Sequence, residues 1–163
     1  MLSARVIAVC LLSVAALPAA AQESSVQTRV LACLSGMEQG QTSWPECRRL
    51  LFYPCETFPV GGEDHLTCLA EQKADWRAHL DATTLTLNER LTAEGSGQLT
   101  DLLGQWFGYV GNKCNAVAAE KADISADAAR LGCEISEFAG LSTEFDSCLQ
   151  GNSTSPYCIV QEK

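Results

Sequence analysis

The chain has 163 residues and a formal net charge of -9, because 20 acidic residues outnumber 11 basic ones. This length suits a single domain that buries roughly two-thirds of the surface exposed by its unfolded chain. The negative charge disfavours nucleic acids and anionic membrane surfaces as partners and favours basic proteins.

The N-terminus has the three parts of a secretory signal. Arg5 supplies a positive charge, an apolar run covers residues 6–17, and the small residues at 18–21 suit a signal peptidase. The apolar run is too short to cross a bilayer, which takes about 20 residues. We therefore expect cleavage after Ala21 and a mature chain, residues 22–163, with no stable membrane anchor. A retained N-terminal anchor is the alternative.

The cysteines predict a disulfide framework. Cleavage removes Cys10, and the mature chain keeps eight cysteines, with a net charge near -10 once Arg5 is lost. Neither Cys10, inside the apolar run, nor Cys33, beyond the polar stretch 22–29, is placed for lipoprotein attachment. In an oxidising compartment eight cysteines allow four bridges, with 105 connectivities. The cysteines are Cys33, Cys47, Cys55, Cys68, Cys114, Cys133, Cys148 and Cys158.

A metal cluster is the competing interpretation of these cysteines. Zinc sites usually bring their ligands in closely spaced pairs, and the chain has no Cys-x2-Cys pair. His65 stands three residues before Cys68, and His79 is isolated. We therefore expect no metal or cofactor, with both histidines on helices at or near the surface.

Apolar spacing predicts two short helices, then two long ones and a last helix. The first covers residues 26–37, loosened by Gly36 and Gly40, and the second covers 44–55, between Pro45 in its first turn and Pro54 at its end. Residues 58–62 then form a loop.

The third predicted helix is the longest and covers residues 63–93, unless Thr83 and Thr84 bend it. Residues 94–97 are expected to end it with a turn. Its core face is Leu66, Leu69, Trp76, Leu80, Leu87 and Leu91, and its solvent face is Glu71, Asp75, Arg77, Asp81, Glu89 and Arg90.

The fourth predicted helix covers residues 99–117 and returns antiparallel to the third. The last begins at a cap, Asp123 or Ser125, buries a face from Ala128 to Cys148, and has Gly140 as a point of interruption. Residues 151–163 form an irregular tail. No segment alternates as a half-buried strand does, so the fold class is all-α, a small disulfide-stapled antiparallel helical bundle.

Motifs for catalysis are missing from the sequence, which predicts a protein that is not an enzyme. There is no Gly-x-Ser-x-Gly, His-Glu-x-x-His or glycine-rich phosphate loop. Glu71 and Asp75 share a helix face and could act as a glycosidase pair, but a solvated acidic face is the favoured interpretation. Trp44, Trp76 and Trp106 are expected in the core rather than on a sugar-binding platform.

Two stretches carry a resemblance to a known family. One is Cys68-Leu69-Ala70-Glu71 followed by Trp76 and Leu80; the other is Leu99, Gln105-Trp106, Tyr109 and Cys114. Over residues 55–145 they resemble the LprI-like lysozyme-inhibitor domain of small exported bacterial helical proteins. The spacing of Trp106, Tyr109 and Cys114 is the most specific element. The family-motif positions are Glu71, Trp76, Leu80, Trp106 and Tyr109.

This resemblance is stronger for the fold than for the activity. Arg77 stands where the family pattern has aspartate, Asp81 where it has asparagine, and Val110-Gly111 replaces Arg-Asp. The resemblance also implies local bridges, Cys55–Cys68 and Cys114–Cys133. The same local scheme, extended to the remaining cysteines, gives Cys33–Cys47 and Cys148–Cys158.

The function expected from this resemblance is that of a periplasmic or secreted protein that binds, and inhibits, a lysozyme or another cell-wall hydrolase. The partner would be a basic protein, because an acidic inhibitor associates faster with one. The alternative is an envelope structural or assembly factor with no enzyme target. A small hydrolase acting through Glu71 and Asp75 is a third hypothesis.

Overall fold

The computed structural model describes residues 26–38, 40–121, 125–151 and 158. The expected signal peptide, residues 1–21, and most of the tail lie outside this part. The described residues form five helices and no strand, which confirms the predicted all-α fold. The helices are α1 (Val26–Glu38), α2 (Trp44–Leu50), α3 (Glu63–Arg90), α4 (Ala93–Glu120) and α5 (Ala126–Leu149).

The two contacts between α3 and α5 that lie furthest apart show that these helices run in the same direction. Lys73 pairs with Glu134 at 2.6 Å near the start of both helices. Near their ends, the Arg90 guanidinium donates a hydrogen bond of 2.7 Å to the carbonyl of Leu149. α5 therefore packs along α3 from Lys73 to Arg90, and this pair has the most extensive helix contact in the bundle.

α4 runs in the opposite direction to both of these helices. Cys114, late in α4, is bridged to Cys133, early in α5, whereas Trp106 contacts Phe138 further along α5. α4 is thus antiparallel to α5 and also to α3, as predicted. α4 contacts α5 much more than α3, so the two sequence neighbours α3 and α4 are held together mainly by α5.

The core lies between these three helices. Trp76 and Leu80 on α3, Leu99 on α4, and Ile135 and Phe145 on α5 are all 0–1% exposed. The predicted core face of α3 is confirmed for Leu69, Trp76, Leu80, Leu87 and Leu91, while Leu66 is only partly buried. The six residues predicted for its solvent face are all exposed.

The start of α4 corrects one prediction. The helix begins at Ala93, and the expected turn at 94–97 is part of its first turns. The hydroxyl of Thr92 accepts a hydrogen bond of 3.2 Å from the Gly95 amide, which caps the helix. This cap offsets the low helix propensity of Gly95 and Gly97, about 1 kcal/mol each.

Other helix boundaries also differ from expectation. α2 ends at Leu50, and turns follow where the helix was predicted to continue to 55. α3 is a single helix across Thr83, and α5 is a single helix across Gly140. Ser125 is the cap of α5, accepting from the Ala128 amide. The rival cap, Asp123, lies outside the described residues.

Four disulfides tie the helices together. They are Cys33–Cys47, Cys55–Cys68, Cys114–Cys133 and Cys148–Cys158, with Cα–Cα distances of 5.3–5.6 Å. These are the pairs that the local scheme predicted. The first joins α1 to α2, and the second joins the segment after α2 to α3. Within the described residues, no helix has the length and apolar character needed to cross a membrane.

Candidate binding site

The family-motif positions separate into buried and exposed residues. Trp76 and Leu80 are 0% exposed and belong to the core. Trp106 is half-buried, whereas Glu71 is exposed and Tyr109 is 57% exposed. Packing therefore accounts for the first two positions, but it leaves Tyr109 and Glu71 available to a partner.

Tyr109 lies in an open concavity between α4 and α5, which we call the tyrosine groove. It has a volume of about 460 Å³ and is lined by Leu102, Gln105, Trp106, Tyr109 and Glu137. The Trp106 side chain in this groove is held in place by other rings. It packs edge-on against Phe107 at 5.1 Å and lies 5.9 Å from the ring of Phe138.

Lys113 lies beside the tyrosine groove and contacts two of its residues, Glu137 and Tyr109. Its ammonium group donates a hydrogen bond of 2.8 Å to Glu137 and lies 5.7 Å from the centre of the Tyr109 ring. The hydrogen bond to Glu137 raises the pKa of Lys113. Lys113 therefore stays charged and holds the Glu137 carboxylate beside the tyrosine.

A second concavity adjoins the first, and we call it the basic pocket. It has a volume of about 340 Å³, shares Glu137 with the tyrosine groove, and is also lined by Lys113. Arg48 from the end of α2 and Lys121 after α4 also line it. No sequence pattern indicated this pocket, because its basic residues are far apart in the chain.

A polar contact between α3 and α5 was also missed from the sequence. Nε2 of His79 lies 2.8 Å from Oδ2 of Asp146, and both side chains are about one-fifth exposed. The buried hydroxyl of Thr83 donates to the His79 carbonyl at 2.8 Å and lies 3.4 Å from Asp146. The hydrogen bond to Asp146 raises the pKa of His79 above 6.5, and desolvation opposes this shift.

The two residues that depart from the family pattern on α3 contact each other. Arg77 pairs with Asp81 one turn later at 3.0 Å, and its guanidinium lies 4.1 Å from the centre of the Phe107 ring. Arg77 thus covers an aromatic residue of α4, a stabilising cation–π contact. Arg77 therefore has a structural role in joining α3 to α4, and Asp81 contacts Arg77 on the same helix.

The remaining candidate residues are not brought together in the described part of the chain. Glu71 and Asp75 are exposed and line neither the tyrosine groove nor the basic pocket. His65 accepts a hydrogen bond of 3.2 Å from the Gly61 amide. No group of three or more potential metal ligands occurs among the described residues. The side chain of Trp44 lies outside them.

Neither a family model, nor a curated protein, nor a solved structure matches this chain. The fold itself defines a small all-α protein held by four disulfides, a number typical of proteins that fold outside the reducing cytoplasm. The likeness to the LprI-like domain therefore depends on its spaced motif residues.

Proposed function

We propose that this chain is a periplasmic or secreted binding protein of the lysozyme-inhibitor type, which binds a basic cell-wall hydrolase and does not itself catalyse a reaction. The N-terminal sequence and the four disulfides support export. The spaced motif on α3 and α4 supports the type of protein. Inhibition by binding requires a rigid surface complementary to the enzyme, and the stapled bundle provides rigidity.

The observation that carries this proposal is the exposure of Tyr109 in the tyrosine groove. A tyrosine on a rigid helix offers a large contact area at a low entropic cost, and tyrosine is enriched among the residues that dominate binding energy. Trp106 and Leu102 provide apolar surface beside it.

The acidic character of the chain supports a basic partner. With a net charge of -9, the protein attracts a positively charged enzyme from a distance, which raises the association rate. Exposed charges act over about 10 Å at 0.1 M salt. Added salt should therefore slow association more than it speeds dissociation.

The test is lysozyme activity on peptidoglycan, titrated with the purified, oxidised protein at low and at physiological salt. We expect inhibition that saturates near one inhibitor per enzyme and weakens as salt is added. A lack of inhibition at high excess, with several lysozyme types, would contradict the proposal and favour the envelope structural or assembly factor.

Tyr109→Ala tests whether the tyrosine groove is the contact surface. We expect it to weaken inhibition at least tenfold, as truncating a dominant contact residue does. Tyr53→Ala is a matched control, since Tyr53 is also 57% exposed and has a guanidinium, from Arg29, 5.7 Å from its ring. Equal effects of the two variants would exclude the groove as the contact surface.

A further inference from the structure

The basic pocket concentrates positive charge on an acidic protein. Arg48, Lys113 and Lys121 line it, and Glu137 is the one acidic residue among the described residues of the lining. Lys113 pairs with Glu137, but the side chains of Arg48 and Lys121 have no hydrogen-bonding or ionic partner among the described residues. The described residues of the lining therefore carry two positive charges that no described carboxylate pairs with, in a chain whose net charge is -9.

The wall between these charges is mainly apolar. Phe52 and Val117 are half-buried side chains in the lining, and Cys133 contributes the disulfide that joins α5 to α4. Phe52 also packs against α5 at Gly132. A volume of about 340 Å³ lies within the range for small organic ligands, about 300–1,000 Å³.

We propose that the basic pocket binds a small amphipathic carboxylate. Its apolar body would lie against Phe52 and Val117, and its carboxylate would bind Arg48 or Lys121. The guanidinium of Arg48 suits this role because its parallel N–H groups match the two oxygens of a carboxylate. This inference goes beyond the proposed function and is independent of it.

The surrounding charge favours a small anion over a long one. Charges separated by more than about 10 Å are largely screened at 0.1 M salt. A ligand inside the pocket therefore responds mainly to the charged residues that line it, which are Arg48, Lys113, Lys121 and Glu137 among the described residues. A polyanion such as a nucleic acid would extend beyond the pocket and would be repelled by the rest of the acidic protein. The apolar wall in turn favours a carboxylate with a hydrocarbon body over a bare inorganic anion.

The first experiment is an NMR titration of the oxidised protein with octanoate, which has both features of the proposed ligand. Acetate and 1-octanol are the controls, because each has only one of them. We expect saturable amide shifts for octanoate in residues 48–52, 113–121 and 129–137, and binding at least about fivefold weaker for both controls. Absence of these shifts, or equal binding of acetate, would overturn the proposal.

Two adjacent arginines provide a matched pair of variants. Arg48 and Arg49 are both exposed in the last turn of α2, but Arg49 does not line the pocket. We expect Arg48→Ser to weaken octanoate binding about three- to fivefold, as loss of an exposed charge pair would, and Arg49→Ser to leave it nearly unchanged. Equal weakening by both variants would show that octanoate is attracted to the positive charge of α2 in general, and would overturn the proposed binding site.

A third variant should increase affinity. Glu137→Gln removes the one acidic group among the described residues of the lining and releases Lys113. We expect octanoate to bind about two- to fivefold more tightly, a result that structural damage would not produce. Weaker octanoate binding by a variant whose helical circular dichroism is unchanged would contradict the inferred role of the pocket charges.

Discussion

His79 and Asp146 form a contact between residues 67 positions apart in sequence. The sequence presents His79 as an isolated histidine, and only the packing of α3 against α5 places the carboxylate beside it. Thr83 is buried next to the pair, although a threonine in the middle of a leucine-rich face gives no sign of such a role. At the residue scale, polar partners across helices were therefore not predictable.

This pair predicts a dependence of stability on pH. The hydrogen bond to Asp146 raises the pKa of His79 in the folded state above its ordinary value of 6.5. The charged pair therefore stabilises the fold fully below pH 6.5, and its contribution is lost as the pH rises through the raised pKa. We expect the free energy of unfolding to fall by about 1 kcal/mol over that range.

Urea denaturation between pH 5.5 and 8.5 measures this effect. His79→Gln should remove the pH-dependent loss. His65→Gln should retain it, because the hydrogen bond that His65 makes is with a backbone amide, from Gly61, and not with a carboxylate. If the two variants keep the same pH dependence, the loss has another origin.

Among the secondary-structure elements, the buried face of a helix follows from its local sequence. The apolar spacing of α3 and α5 predicted most of the buried apolar residues, because a helix places residues three and four apart on one side. It did not predict the burial of Thr83 on α3 or of Ser142 on α5. The helix boundaries were harder to predict. The Thr92 cap starts α4 at Ala93, so that Gly95 and Gly97 are part of the helix, and α5 continues through Gly140. Propensity is outweighed where a cap or a packed face stabilises the helix.

Gly140 gives a prediction at this scale. It is helical, and a Cβ atom there would meet nothing within 4 Å. Gly140→Ala should therefore raise the free energy of unfolding by about 0.5–1 kcal/mol, because alanine loses less backbone entropy on folding.

Gly61→Ala is the contrasting variant. Gly61 has a φ of +79°, and its Cβ would lie 2.8 Å from the Cβ of Ser125. We expect a loss of stability of at least about 1 kcal/mol, from the strained backbone and the clash with the cap of α5. Thermal unfolding of both variants checks the pair, and destabilisation by Gly140→Ala would show that the helix needs glycine there.

At the scale of the whole molecule, each disulfide joins two cysteines that lie 10 to 19 positions apart in the sequence. Cys114–Cys133 closes a segment of 19 residues between α4 and α5. Its removal in a Cys114→Ala/Cys133→Ala variant should lower the free energy of unfolding by about 3 kcal/mol, because the unfolded chain gains freedom.

Urea unfolding of this double variant, with circular dichroism to verify its helix content, measures the loss. Mass spectrometry of the unmodified protein should also find no free thiol among the eight mature cysteines. A double variant as stable as the parent would indicate that packing between α4 and α5 suffices without the bridge.

The all-α class and most of the core face of α3 followed from the sequence alone, because they depend on residues close together in the chain. The disulfide pairs came from the family resemblance instead. Tertiary structure decided that α5 holds α3 and α4 together. It also placed Arg48 and Lys121 in one pocket and left Tyr109 exposed. Periodicity shows which side of a helix is buried, but only packing determines which distant side chains meet.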